Sequence, residues 1–157
     1  VLIMEYSDFD CSFCPKYVAE IYPLIDEHYI KTGKIKYFFR DLPEPHNTNS
    51  LLKAQAARCA GEQGKFWEMH DLLFENQEDW GEEKKPMKKF ESFAKELKLD
   101  MVKFKKDIES KEVIDKVDGD MQSGNSIGVG ATPTFIVNGK KLPQVRSLQD
   151  FEKEFVK

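Results

Sequence analysis

The sequence predicts a two-layer α/β domain into which a block of helices is inserted. Three observations support this prediction. Short runs of β-branched and aromatic residues occur near both ends of the chain, a long stretch with helical periodicity separates them, and an Asn-Gly pair marks a hairpin close to the end. The expected order of elements is therefore β-α-β, a helical block, and then β-β-α.

The first part of the chain predicts a strand, a helix and a second strand. Residues 1–6 form an apolar run typical of a short buried strand, and the polar turn at residues 7–10 leads into a helix expected to begin near Cys11. Pro23 is expected to kink this helix. Residues 35–40 then predict a strand parallel to the first, joined to it by a right-handed crossover.

The second part predicts helices and then a hairpin. Residues 50 to about 128 have the spacing of four or five helices. A β-branched and aromatic strand follows at residues 134–137, and Asn138-Gly139 predicts a tight turn into a partner strand at residues 141–145. We expect Ser147 to cap a closing helix.

Composition and charge exclude several classes of protein. The chain has 157 residues, of which 40% are hydrophobic and 33% charged, and no apolar run is long enough for a membrane-spanning helix. Its formal net charge of −4 gives no broad positive field, so we expect no nucleic-acid partner. Because the chain begins inside an apolar run without an initiator methionine, we expect a trimmed mature domain.

Two cysteines separated by two residues, Cys11 and Cys14, are the strongest chemical signal. At the start of a helix this spacing brings both sulfurs to one side of the first turn, within reach of a disulfide bond. Pro15 supports that position, since proline is best tolerated in a first helical turn. A helix N-terminus favours a thiolate and lowers cysteine pKa values to roughly 3.5–7.5. We therefore expect Cys11 to be the nucleophile and Cys14 the resolving thiol.

Three other interpretations compete with a redox pair. A zinc site needs two more ligands, but Cys59 and the three histidines (His28, His46 and His70) show no paired spacing, so we expect no metal. An inert structural disulfide is possible, although so short a loop restricts the unfolded chain little. A cysteine protease needs a histidine partner that sequence does not locate, and it leaves the second cysteine unexplained.

Other residues are candidates for the site or the core. Glu5 lies six residues before Cys11 in an otherwise apolar strand, where a buried carboxylate is costly unless it is paired or protonated. An edge or solvent-facing position is the alternative for Glu5. Thr132-Pro133 enters the third predicted strand, where proline is sterically allowed. Cys59 lies among alanines in a helical stretch and is expected to be a small buried core residue.

Four motifs together resemble the DsbA-like thioredoxin family. They are Glu5 to Phe9 before the cysteine pair, Phe39 to Pro43, Ala57 to Trp67, and Gly130 to Phe135. The motifs occur in the family's order and spacing, and the resemblance covers essentially the whole chain. The sequence departs from the family's usual pattern at Ser12 and Pro15, where members often have proline and a basic residue; this affects the expected redox potential rather than the reaction class.

The resemblance implies a thioredoxin-like fold with a helical insertion between the second and third core strands. Residues 1–45 and 129–157 would form the thioredoxin-like domain, and residues 46–128 the inserted helical subdomain. It also implies a cis peptide bond at Thr132-Pro133, beside the disulfide, with Thr132 offering backbone hydrogen bonds to a bound polypeptide. We assign Phe13, Thr132 and Pro133 to substrate binding on this basis.

The same resemblance implies a role for Glu5 in exchanging protons with the buried cysteine, and we expect Lys36 on the neighbouring strand as its partner. The implied activity is thiol–disulfide exchange that promotes disulfide formation in envelope proteins, with no cofactor besides the Cys11–Cys14 disulfide. Expected partners are cysteine-containing polypeptides and a separate redox-recycling protein. We expect a monomer in the bacterial periplasm or cell envelope.

Other functions remain open at this point. The same chemistry serves a disulfide reductase or isomerase, although related isomerases usually add a dimerisation domain. A polypeptide-binding chaperone module with an incidental disulfide is a third possibility. A glutathione-linked enzyme of thioredoxin fold is a fourth, weakened because such sites usually use one Ser or Cys rather than a CxxC pair.

Overall fold

A four-stranded sheet forms the centre of the molecule, in a computed structural model that describes residues 1–80 and 85–155. The strands lie in the order β2-β1-β3-β4. Their bounds are β1 (Leu2–Ser7), β2 (Lys36–Asp41), β3 (Thr134–Val137) and β4 (Lys140–Lys141). As predicted, β2 runs parallel to β1, whereas β3 is antiparallel to both β1 and β4.

Helices cover both faces of the sheet. They are α1 (Cys14–Glu20), α2 (Tyr22–Ile25), α3 (Thr48–Glu62), α4 (Phe66–Glu75), α5 (Pro86–Glu96), α6 (Met101–Asp107), α7 (Lys111–Ser126) and α8 (Leu148–Phe155), with a π-helical turn at Asp26–Ile30 and a 3₁₀ turn at Gln77–Trp80. Within the described residues, α3 to α7 all lie between β2 and β3, which confirms the predicted α/β class with its helical insertion. None of the described helices has the length and hydropathy needed to cross a bilayer.

The exact ends of the inserted subdomain, proposed from sequence as residues 46–128, stay a prediction. Residues 81–84 of that range lie outside the described residues.

The first helix begins later than predicted. It was expected to begin near Cys11, but α1 begins at Cys14 with Phe13 as the N-cap residue. The Cys11 N–H donates to the Asp8 carbonyl at 3.0 Å, and the Cys14 N–H donates to the Cys11 carbonyl at 3.4 Å. Cys11 therefore lies in a turn before the helix, and Pro15 occupies the first helical turn proper.

The expected kink at Pro23 is confirmed as a break between α1 and α2. Ile21, between the two helices, has φ −107° and ψ −49°. Because Pro23 has no N–H to donate, the regular ladder of hydrogen bonds is interrupted in this region.

The closing hairpin is shorter than predicted. Asn138 and Gly139 adopt φ angles of 49° and 83°, as the tight turn requires. The partner strand, expected at residues 141–145, is restricted to Lys140–Lys141. The Leu142 N–H still donates to the Phe135 carbonyl, but Pro143 has no N–H with which to continue the ladder.

Strand alternation divides the core between two faces of the sheet. Ile3, Phe135 and Val137 lie on one face and pack against α1, α2 and α8. Tyr6 and Ile136 lie on the other face, with Val129 beside them. The insertion builds a third cluster of its own, which reaches Cys14 and is formed mainly by aromatic and small side chains of α3 to α6.

Gly124 in α7 tests the packing on the Tyr6 face. A Cβ atom at Gly124 would lie 3.1 Å from two ring carbons of Tyr6 and 3.2 Å from a methyl carbon of Leu42. We expect Gly124→Val to lower the free energy of unfolding by about 1–3 kcal/mol, because overpacking forces the neighbours to shift. Urea denaturation followed by far-UV circular dichroism measures the change.

Gly119→Ala is the matched control on the same helix. A Cβ atom at Gly119 meets nothing within 4 Å, so alanine should raise stability by up to about 1 kcal/mol through its helix propensity. Equal unfolding midpoints for Gly124→Val and the unsubstituted protein would contradict the close packing of α7 on Tyr6.

Candidate active site

The two cysteines lie beyond the carboxyl end of β1, in very different surroundings. Cys11 is half-buried in the turn that precedes α1, whereas Cys14, the first residue of α1, is completely buried. All three cysteines of the chain are free thiols. The site is therefore in its dithiol form, with one accessible and one inaccessible sulfur.

Hydrogen bonds stabilise the thiolate of Cys11. The largest effect comes from the Cys14 thiol, and further contributions come from the Thr132 side chain and from the backbone N–H groups of Phe13 and Cys14. Together they lower the pKa of Cys11 to about 6, against the opposing effect of partial burial. When it is protonated, the Cys11 thiol donates to the Thr132 carbonyl oxygen at 3.2 Å, a bond that favours the thiol form. Because its pKa is about 6, most of Cys11 is nevertheless the reactive thiolate at neutral pH.

The opposite holds for Cys14. Burial raises its pKa far above the usual range, and the hydrogen bond and charge of Cys11 raise it further. The Ser7 hydroxyl donates a hydrogen bond of 3.2 Å to the Cys14 sulfur. Cys14 therefore keeps its proton while Cys11 is ionised, and this split fits the predicted roles of resolving thiol and nucleophile.

Glu5 is buried in the central strand, 1% exposed, rather than at an edge or in solvent. The Tyr37 hydroxyl donates to its Oε1 atom at 2.6 Å, while Oε2 is buried without a hydrogen-bond partner. Burial raises the pKa of Glu5, opposed by nearby His70 and by the hydroxyls of Tyr37 and Ser7. The carboxyl group in turn raises the pKa of Cys14 through its charge. Glu5 and Cys14 are thus electrostatically coupled.

The prediction that Lys36 is the partner of Glu5 is wrong. Lys36 is exposed and lies opposite Leu2 in the β1–β2 register, so its side chain points to the other face of the sheet from Glu5. Tyr37, one residue later, lies opposite Ile3 and shares the face of Glu5. A one-residue difference in a strand reverses the face, which explains the error.

The residues assigned to substrate binding meet at one surface. The Thr132–Pro133 peptide bond is cis, as the family resemblance implies, and the Thr132 carbonyl lies against Cys11. Phe13 is 76% exposed beside it. These residues border a groove of about 620 Å³ between α1 and the β3–β4 hairpin, whose other lining residues include Tyr17 and Leu142.

Sequence reasoning missed several residues of the site. Ser7, read only as part of a turn, contacts the Cys14 sulfur, and Tyr37 and Tyr17 form a hydroxyl pair, 2.6 Å apart, beside Glu5. Gln77 donates from its side-chain amide to the carbonyls of Phe9 and Cys11, both at 2.8 Å. No local pattern identifies Gln77, because it approaches the turn from 66 residues away.

Cys59 is completely buried in α3, which confirms its assignment to the core. Burial raises the pKa of its thiol to about 12. Cys59 therefore stays protonated over the range in which Cys11 titrates.

Titration of the dithiol form tests the split between the thiols. We expect thiolate absorbance near 240 nm to rise with a midpoint close to pH 6, the pKa of Cys11, and Cys11→Ser to abolish this step. Because the folded-state pKa lies below that of an unfolded cysteine, ionised Cys11 stabilises the reduced protein above the unfolded-state pKa. This contribution is lost as the pH falls through about 6.

Cys59→Ala is the control for this titration and should leave the midpoint unchanged, since Cys59 is not ionised in this range. A midpoint near 8.5, the value of a free cysteine, would show that the hydrogen bonds at Cys11 do not stabilise its thiolate.

Comparison with known proteins gives matches over most of the chain. A protein-family model described as Thioredoxin matches residues 1–155. The protein named Probable disulfide bond formation protein D of Bacillus cereus is 32% identical over 143 residues, which cover 88% of this chain and 66% of that protein. Na(+)/H(+) antiporter NhaA 3 of Salinispora tropica is 32% identical over 142 residues. That match covers 90% of this chain but only 20% of the antiporter, so the chain spans about a fifth of the antiporter's length.

Two solved structures share the fold. BdbD from Bacillus subtilis, in its oxidised form, superimposes with a TM-score of 0.87 at 24% identity, covering 99% of this chain and 85% of that one. The α-DsbA1 protein of Wolbachia pipientis gives a TM-score of 0.85, also at 24% identity, with the same coverage of both chains.

Proposed function

We propose that this chain, which belongs to the thioredoxin family and has the fold of the DsbA proteins, is a thiol–disulfide oxidoreductase that acts through Cys11 and Cys14. The observation that carries the proposal is the contrast between the two thiols. An accessible Cys11 with a pKa of about 6 lies next to a completely buried Cys14 whose pKa is strongly raised. Such a pair forms a mixed disulfide at one sulfur and resolves it with the other.

The proposed reaction begins with the oxidised Cys11–Cys14 disulfide. A substrate thiolate attacks the Cys11 sulfur, the bond between the two cysteines breaks, and Cys14 leaves with the electron pair and takes up a proton. A second substrate thiolate then attacks the substrate sulfur of the mixed disulfide. Cys11 leaves as a thiolate, the substrate gains a disulfide, and the enzyme holds the two electrons as its dithiol.

Glu5 is proposed as the group that exchanges this proton with Cys14. It is buried beside Cys14, its pKa is raised by burial, and it therefore holds a proton more readily than an exposed carboxyl group. Phe13, Thr132 and Pro133 are proposed to bind a cysteine-containing polypeptide in the groove beside Cys11. Backbone groups next to Pro133 suit an extended peptide, and the exposed ring of Phe13 adds apolar contact.

The direction of electron transfer is proposed to favour oxidation of substrates. Stabilising the Cys11 thiolate stabilises the reduced enzyme, and this increases the oxidising power of the disulfide. The name of the Bacillus cereus relative, which refers to disulfide bond formation, supports the same direction. We further propose that the chain works as a monomer in the bacterial periplasm or cell envelope. There a separate redox protein would reoxidise the Cys11–Cys14 pair, which needs no other cofactor.

Trapping experiments test the assigned roles of the two cysteines. Cys14→Ser, mixed with a dimer of a single-cysteine peptide joined by a disulfide, should accumulate a mixed disulfide between Cys11 and one peptide. The Cys11 thiolate displaces the other peptide as a thiol, and the resolving thiol that would release the bound peptide is absent. Cys11→Ser should reduce disulfide transfer at least a hundredfold. Mass spectrometry under non-reducing conditions and a peptide-oxidation assay measure both outcomes.

Cys59→Ala is the matched control and should retain full transfer, since Cys59 lies buried in α3. If Cys11→Ser also retained its activity, the chain would act as a polypeptide-binding module and the disulfide would be incidental to its function.

Equilibration with glutathione tests the direction. The protein is equilibrated in buffers with defined ratios of reduced to oxidised glutathione. We expect the reduction potential of the Cys11–Cys14 pair to be higher, that is more oxidising, than that of thioredoxin, which is about −270 mV. Trapping the thiols with acid and alkylating them gives the reduced fraction. A potential at or below that of thioredoxin would favour the reductase alternative, and efficient repair of a scrambled substrate would favour an isomerase.

A further inference from the structure

The proposed exchange requires a proton to enter or leave a sealed position. Cys14 is 0% exposed, yet it must be protonated when it leaves Cys11 and deprotonated when it attacks a mixed disulfide at Cys11. Glu5, the proposed exchange partner, is itself only 1% exposed. A second group must therefore connect Glu5 with water.

Two tyrosine hydroxyl groups form a hydrogen-bonded chain that starts at the Glu5 carboxyl group. Tyr37 donates to the Glu5 carboxylate at 2.6 Å, and the Tyr17 hydroxyl lies 2.6 Å from the Tyr37 hydroxyl. Both phenols keep their protons, because burial raises their pKa values. A neutral phenol accepts one hydrogen bond while it donates another. Its oxygen can therefore receive a proton from one neighbour as its own proton leaves to the other, and the phenol is neutral before and after the transfer.

The groups that face Glu5 come from several elements. Tyr37 belongs to β2, Tyr17 and Cys14 to α1, His70 to α4, and Ser7 to the end of β1. Whereas Tyr17 lines the groove near Cys11, Tyr37 lines a different cavity. Its position links the carboxyl group with a second surface.

This cavity has a volume of about 390 Å³. It is lined by Tyr22, Asp26, Ile30, Tyr37, Trp67 and Asp71. The side chain of Asp71 is 56% exposed and that of Asp26 is 30% exposed, so the cavity contacts bulk water. Tyr22, Asp26 and Asp71 also line an adjoining groove of about 460 Å³. Two carboxylates at its mouth offer acceptors for a proton that leaves through Tyr37.

We infer that Tyr37 is a positioning and proton-relay residue that connects Glu5 with this aqueous cavity, an inference that rests on the proposed thiol–disulfide exchange. When Cys14 attacks a mixed disulfide, its proton passes to the Glu5 carboxylate. The Glu5 proton then moves to the Tyr37 oxygen as the phenolic proton of Tyr37 moves to water in the cavity. The reverse sequence protonates Cys14 when the disulfide opens. The relay carries only protons; the electron pair moves between the sulfur atoms, from the attacking thiolate into the new disulfide and out with the leaving sulfur.

Reaction with oxidised glutathione separates the two thiol steps. Mixing it with the reduced protein should give a concentration-dependent phase, in which Cys11 forms the mixed disulfide, and then a concentration-independent phase, in which Cys14 releases glutathione. We expect Tyr37→Phe to slow the second phase about fivefold to tenfold and to leave the first phase within twofold. Stopped-flow tryptophan fluorescence and acid quenching followed by mass spectrometry resolve both phases.

Chemical rescue distinguishes proton transfer from a purely structural effect. Azide, a small proton carrier, should restore much of the second-phase rate in Tyr37→Phe and have little effect on the unsubstituted protein. Tyr29→Phe removes a hydroxyl that donates to Glu152, outside both the Glu5–Tyr37–Tyr17 chain and the lining of this cavity, and it should leave both phases unchanged. Thermal unfolding of each variant checks that the fold is retained.

Several outcomes would overturn the inference. A second phase that Tyr37→Phe does not slow, or slows without any rescue by azide, would remove the relay while leaving the proposed function intact. If Tyr17→Phe slowed the second phase about fivefold to tenfold while Tyr37→Phe had no effect, the proton path would lie on the side of the cysteine groove. An unsubstituted protein that forms the mixed disulfide but shows no second phase would contradict both the relay and the proposed function.

Discussion

The rest of this structure depends on a difference in solvation between the sulfur atoms of Cys11 and Cys14. Cys11 is reached by solvent and by hydrogen-bond donors from two segments of the chain, whereas Cys14 points into the core. Burial penalises charge at Cys14, and donors favour charge at Cys11, so one sulfur is ionised while the other is protonated. The same difference creates the need for a buried proton acceptor and for a path to water.

The helical insertion holds the turn that makes this difference possible. Ser50 in α3 donates to the Asp8 carboxylate at 2.5 Å, and the completely buried Lys53 forms an ion pair with Asp10. Gln77 binds the backbone of the same turn. Loss of one partner from a buried ion pair typically costs about 3–5 kcal/mol, so these contacts fix the turn firmly. The insertion therefore holds the turn that carries the reactive cysteine and also covers the sheet.

Strand register decides which side chains reach the buried cysteine. Glu5 and Tyr37 share a face because β1 and β2 pair in parallel with Ile3 opposite Tyr37, and this face is also the one covered by α1. A polar cluster in such a position is tolerated because its members satisfy one another. The Glu5 Oε2 atom is the exception, buried without a hydrogen-bond partner, and it belongs to the group proposed to exchange a proton.

Local sequence determined the elements and the reactive pair. Hydrophobic periodicity predicted the order of strands and helices, Asn138-Gly139 predicted the hairpin turn, and the spacing of Cys11 and Cys14 predicted two sulfurs in one turn, because each of these signals acts over a few residues. Tertiary structure alone decided the partner of Glu5, the start of α1 and the contacts of Gln77. Those depend on register and on contacts between residues far apart in the chain, which no local pattern encodes.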